Sequence, residues 1–103
     1  PTFAFTDEFY LPRDYNRDEI DVLLRLDLTG VAGNGLPADG DYPLAWARTY
    51  GTGRVFFGSF AHAAATWDIR DVQQMYFEAI RWALGLTDAP VEPHAMRDAP
   101  AAR

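Results

Sequence analysis

No other stretch limits what this chain can fold into as strongly as Pro43 to Trp67, PLAWARTYGTGRVFFGSFAHAAATW. Leu44 to Tyr50 and Arg54 to Phe60 read as extended segments joined by Gly51-Thr52-Gly53, whose glycines supply the positive φ angles of a tight hairpin. Val55, Phe56 and Phe57 on one segment, with Trp46 and Tyr50 on the other, suit paired strands. The hairpin delivers His62 into a loop of small residues just past a strand end, where α/β proteins hold chemistry on a rigid sheet.

Ahead of the hairpin, Thr2-Phe3-Ala4-Phe5-Thr6 alternates with the period of a half-buried strand and is expected at a sheet edge. Asp7-Glu8-Phe9-Tyr10 follows, and Pro12 ends regular pairing. Residues 12 to 19 form a polar surface loop. Ile20 to Leu28 is the next strand; the consecutive Val22, Leu23 and Leu24 mark a central strand covered on both faces. Thr29 to Tyr42 holds four glycines, one proline and three Asn/Asp residues, a connection without secondary structure.

Beyond the hairpin, Asp68 is expected to cap a helix reaching about Leu84, with Asp71 completing a carboxylate capping box. Ile69, Val72, Tyr76, Ala79, Ile80 and Ala83 share its apolar face, and Gly85 closes it. Residues 87–103 carry three prolines and many alanines and read as a tail along the surface, with His94 solvated there. The chain has no internal repeat.

Composition narrows the function. The 103 residues make one small domain at most, and 49% apolar with 15% aromatic residues is ample material for a core. All nine basic residues are arginines facing fifteen acids, for a net charge of −6, which disfavours nucleic acid. The absence of cysteine removes disulfides, thiolate metal sites and a cysteine nucleophile from this chain. No apolar run approaches the ~18 residues of a membrane span, and no leader-like segment opens the sequence. No membrane association is expected, and the cytoplasm is the default setting.

The ordered set Asp7-Glu8-Phe9-Tyr10, Val22-Leu23-Leu24, Pro43 to Phe57, Ser59 to His62, Trp67 and Ile80 to Gly85 resembles the ThuA-like, trehalose-utilisation family over roughly residues 3 to 86. The family pattern has a glycine before its histidine where this chain has Ala61. The resemblance implies an α/β, flavodoxin-like or class I glutamine amidotransferase-like three-layer fold. This chain would supply its C-terminal strands, hairpin and last helix (residues 1–86), and residues 87–103 the Pro/Ala-rich tail. The N-terminal half of the domain, or a homo-oligomeric partner, would complete it. The implied role is carbohydrate utilisation, acting on trehalose, a related disaccharide or a keto derivative. Amidotransferase activity is disfavoured because its nucleophilic cysteine is not in this chain.

His62 is the leading candidate for chemistry, because histidine titrates near pH 6.5 and suits general acid/base work; the resemblance to amidotransferases places a histidine at this point. The alternative is a structural ring bonded to loop carbonyls. Asp7 and Glu8 project in different directions on extended backbone. One can face a pocket and orient His62, with Glu8 as its catalytic partner and Asp7 toward substrate, or the pair is an ordinary charged loop. His62 and a carboxylate could also share a metal, but one histidine with one carboxylate is too few to establish a metal site, and the cofactor stays unknown. Tyr10, Trp46, Arg48 and Trp67 combine aromatic faces with a guanidinium, as sugar recognition requires, though strand aromatics also serve as core. Ser59 lies beside His62 but lacks a glycine-flanked nucleophile elbow, so it counts as a substrate contact. A competing reading is a non-catalytic carbohydrate-binding or interaction module of a larger protein.

Overall fold

A computed structural model describes residues 2–94. It is a small α/β unit: an antiparallel sheet of β1 (Asp21–Arg25), β2 (Pro43–Tyr50) and β3 (Gly53–Gly58), in that order, and one helix, α1 (Arg70–Ala83). Short 3-10 helices occupy Arg17–Glu19 and Ala64–Asp68. Residues 95–103 of the expected tail lie outside the described residues.

The hairpin forms with an unbroken register from Ala45↔Gly58 to Tyr50↔Gly53. Because Gly53 already pairs, the turn is the two-residue Gly51-Thr52, not a three-residue connection.

The central strand is β2, and this corrects the expectation for Val22 to Leu24. β2 is paired on both sides, and Pro43 to Ala47 are buried in succession. The β1 register shifts on either side of Leu24, and Leu23 is 54% exposed. The signature of two-sided burial therefore falls on a segment whose small Ala45 and Ala47 leave room for layers above and below. An edge strand needs no such room, so the bulkier Val-Leu-Leu run is accommodated there.

Thr2 to Thr6 forms no ladder, contrary to the expected edge strand, yet its alternation is real and runs on to Tyr10. Phe3, Phe5, Asp7 and Phe9 are half-buried, while Ala4, Thr6, Glu8 and Tyr10 are exposed. The segment is held by side chains instead: the Phe5 ring stands 5.4 Å from those of Phe3 and Phe9 and 5.6 Å from Phe60. These rings pack on a core of Tyr42, Leu44, Ala45, Phe60 and Val72.

The helix starts at Arg70, and the residue before it, Ile69, offers no side-chain cap. Asp68 ends the preceding 3-10 helix, so the expected Asp68/Asp71 box does not form; bonds from the Thr66 and Ile69 amides lead the chain straight into α1. The C-terminal end is as expected. Gly85 has φ +74, its amide bonds to Trp82 O, and the Leu86 amide bonds to Arg81 O, a Schellman closure that a side chain at Gly85 would strain.

The buried face of α1 is Val72, Met75, Tyr76, Ala79 and Trp82, whereas Ile80 is 58% exposed and Ala83 faces solvent. One helical stripe cannot hold both residues 76, 80, 83 and residues 75, 79, 82 at its centre. Burying the larger indole of Trp82 turns Ile80 outward. Tyr76 packs over β3 at Gly58, where an added Cβ would stand 2.5 Å from the phenol oxygen, so close approach of helix to sheet depends on that glycine. Among the described residues, no helix is long and apolar enough to cross a membrane.

Candidate functional site

The segment Thr2 to Tyr10 and the loop Ser59 to Trp67 meet at Asp7. Period-two alternation puts Asp7 on the inward side with Phe5 and Phe9, and there its carboxylate gathers the loop. Asp7 Oδ2 accepts from the Ala61 amide (2.6 Å) and the Thr66 hydroxyl (2.8 Å), and Oδ1 from the amides of Ala63 (2.9 Å) and Glu8 (2.8 Å). Partial burial pushes this carboxyl up, but bonds from Ala63, Thr66, Glu8 and Ala61 together outweigh it and bring it down to about 2. Thr66 is itself buried. Sequence reading missed it, since a threonine among alanines carries no signal until its partner is known.

The loop's backbone is shaped to meet this carboxylate. Ala61 has φ +75, a left-handed conformation costing a non-glycine residue roughly 1–2 kcal/mol. This is the position where the family pattern has glycine. Ala61→Gly is accordingly expected to stabilise the protein by about 0.5–1 kcal/mol in chemical unfolding, strain relief exceeding glycine's added flexibility. A lower midpoint would mean that the Ala61 methyl, which lies against the core, matters more than its backbone.

With Asp7 turned inward, Glu8 and Tyr10 point out together. Glu8 Oε2 lies 3.4 Å from His62 Nε2, and the two side chains are 57% and 65% exposed. The Tyr10 phenol is raised by partial desolvation, by its hydrogen bond to Glu8 and by the charges of Glu8 and Asp7. Tyr10, Glu8 and His62 thus form one chain of polar groups across two segments. In the same loop Trp67, 46% exposed, donates from Nε1 to Ala61 O (3.1 Å) and packs its ring 5.0 Å from that of Tyr76. Gln73 of α1 donates to Trp67 O (2.6 Å).

The other sequence candidates have different surroundings. Ser59 is buried and donates to Leu44 O (3.2 Å), while its carbonyl accepts from the Tyr10 amide (3.3 Å). Trp46 is buried, stacked 4.3 Å from Phe57 and 5.6 Å from Tyr15. Arg48 pairs with Glu19 (3.0 Å) and lies over the Tyr50 ring. Arg48 stands opposite Val55 in the ladder, four residues before Ser59 and thus about 13 Å along the strand from the His62 loop.

Clefts of about 420 and 440 Å³ among the described residues are lined by other side chains. With both side chains more than half exposed, the Glu8–His62 pair sits on an open surface. A carboxylate so placed can orient the imidazole and balance its charge when it carries a proton. Among the described residues, no group of three or more His, Cys, Asp or Glu side chains is placed to hold a metal ion.

A family model described as ThuA, trehalose utilisation, matches residues 1–83. No curated protein and no solved structure matches the chain.

Proposed function

Because the chain belongs to the ThuA, trehalose-utilisation family, we propose that it serves in the use of trehalose or a related disaccharide, His62 acting as general acid/base on the sugar or its keto derivative. The observation that carries this reading is the 3.4 Å Glu8–His62 contact on a loop fixed from below by Asp7. Glu8 orients the imidazole, Tyr10 supports Glu8, and the exposed face of Trp67 offers a surface for the C–H bonds of a pyranose. Asp7 is a positioning residue, since both its oxygens already accept bonds from the protein. Trp46 and Arg48 belong to the sheet's own packing in this proposal, and Ser59 to the loop's anchorage.

We also propose that residues 1–86 pack against a further layer. It would be supplied by the remainder of a flavodoxin-like or class I glutamine amidotransferase-like domain, or by a second copy of the chain, in a cytoplasmic protein. Support comes from large apolar side chains left in solvent, among them Leu23, Phe57, Phe77, Ile80 and Leu84. The open setting of His62 fits a site closed by that layer. It also favours a second reading, a non-catalytic sugar-binding module, which differs in binding sugar without turnover.

Calorimetry with a panel of disaccharides and their keto derivatives, on the complete protein and on this chain alone, tests both points. Saturable heat is expected with the complete protein only, and the isolated chain should self-associate in light scattering. Heat from an unrelated ligand but from no sugar would overturn the carbohydrate reading; a monomeric chain with a sharp two-state melt would overturn the further layer.

A further inference from the structure

The second cleft, of about 440 Å³, lies between the sheet and α1. Leu23, Ala47 and Phe56 line it from the three strands, Met75, Ala79 and Trp82 from the helix, and Ala89 to Val91 close a third side. The sheet and the helix each contribute an alanine, Ala47 and Ala79, where they face each other across the cleft, which is why helix and sheet leave a hollow here instead of interdigitating.

The third wall is fixed at both ends by hydrogen bonds. Arg54 donates to Trp82 O (3.0 Å), Thr87 O (2.9 Å) and Asp88 (2.7 Å), and Trp82 Nε1 donates to Ala89 O (3.2 Å). At the other end the Glu92 amide donates to Asp21 (3.2 Å), and Arg17 to His94 O (2.9 Å). Polar latches thus hold a short segment across an apolar space without filling it. The acids at the rim are answered inside the chain: Asp21 by the Glu92 amide and His94, Glu78 by Arg81 and Gln74, Asp88 by Arg54. An occupant therefore needs no charge. Its volume falls in the ~300–1,000 Å³ range of small-molecule sites, and its walls offer aromatic and aliphatic contact on three sides.

We infer that this cleft is a binding site for a neutral, predominantly apolar small molecule, separate from the Glu8–His62 surface. The probe is N-phenyl-1-naphthylamine, a neutral apolar fluorophore, titrated into the intact protein. Saturable emission is expected. Ala79→Leu fills the hollow and should weaken binding about tenfold, whereas Ile80→Ser, on the adjacent exposed stripe, should leave it unchanged. Should Ala79→Leu fail to fold, the methyl resonance of Met75 in the parent protein decides the matter, because an occupant touches that wall and must shift it. Absent saturation, an unmoved Met75 methyl, or loss of binding in Ile80→Ser but not Ala79→Leu would overturn the inference. Probe uptake that follows dissociation of an oligomer in light scattering would overturn it too, by showing that a second copy covers the cleft.

Discussion

Asp7→Ala is expected to lower the stability of the protein by about 3 kcal/mol and to release the His62 loop. Three loop donors, the amides of Ala61 and Ala63 and the hydroxyl of Thr66, end on this one carboxylate, and each hydrogen bond to a charged group contributes roughly 1.5–3 kcal/mol. The sum is discounted because the bonds share one acceptor and the site is partly solvated. The Ala61 conformation, at φ +75, loses its compensation at the same time, so the loop should relax to ordinary backbone. Urea unfolding and amide exchange at Ala61 and Ala63 read the two consequences separately. An unchanged midpoint would show that ring packing alone positions the loop.

The same carboxylate predicts an acid dependence. Its folded value of about 2 lies below the ordinary 3.8, so the folded state binds fewer protons there than the unfolded chain. Its stabilisation is complete above pH ~4, shrinks as the pH falls and is gone below pH ~2. The parent protein should lose more stability through that window than Asp7→Ala. Parallel curves for the two would remove Asp7 from the account.

His62→Ala should reduce turnover of an active sugar by about a hundredfold or more in the intact protein, the scale of a lost general acid/base, with stability within about 0.5 kcal/mol of the parent. The two side chains of the pair are mostly exposed, so neither contributes much to folding. Glu8→Gln keeps the shape of the side chain but removes the charge beside the ring. A loss of about tenfold is expected, the scale of an orienting partner. Asp7 is thus expected to stabilise the loop and His62 to work from it. Unchanged turnover in His62→Ala would retire the catalytic role and leave the sugar-binding module. A fall in stability equal to that of Asp7→Ala would make His62 structural.

Much of the local structure is legible in the sequence. Two glycines between aromatic runs marked the hairpin, an apolar stripe ending at Gly85 marked the helix, alternation marked Thr2 to Thr6 as extended, and extended backbone sent Asp7 and Glu8 in different directions. Each rests on φ preferences or side-chain periodicity acting within a few residues, and such terms are present in any stretch of chain with that sequence.

What the residues decided jointly was not legible. Val22 to Leu24 looks more like a central strand than the alanine-rich start of β2, yet the strand paired on both sides is the one with small side chains, because only there is space for two layers. Trp82 took the core and turned Ile80 out, a competition settled by volume at one interface and not by either residue's hydrophobicity. The Glu8–His62 contact and the grip of Asp7 on Ala61, Ala63 and Thr66 join positions more than fifty residues apart. No periodicity reaches that far. The sequence by itself determined which segments are extended, helical or turned, and which side of the first segment faces inward. Tertiary packing alone decided that the inward carboxylate meets the Ala61, Ala63 and Thr66 donors and the outward one the imidazole, since that depends on where the Phe5–Phe60 ring contacts seat the two segments against each other.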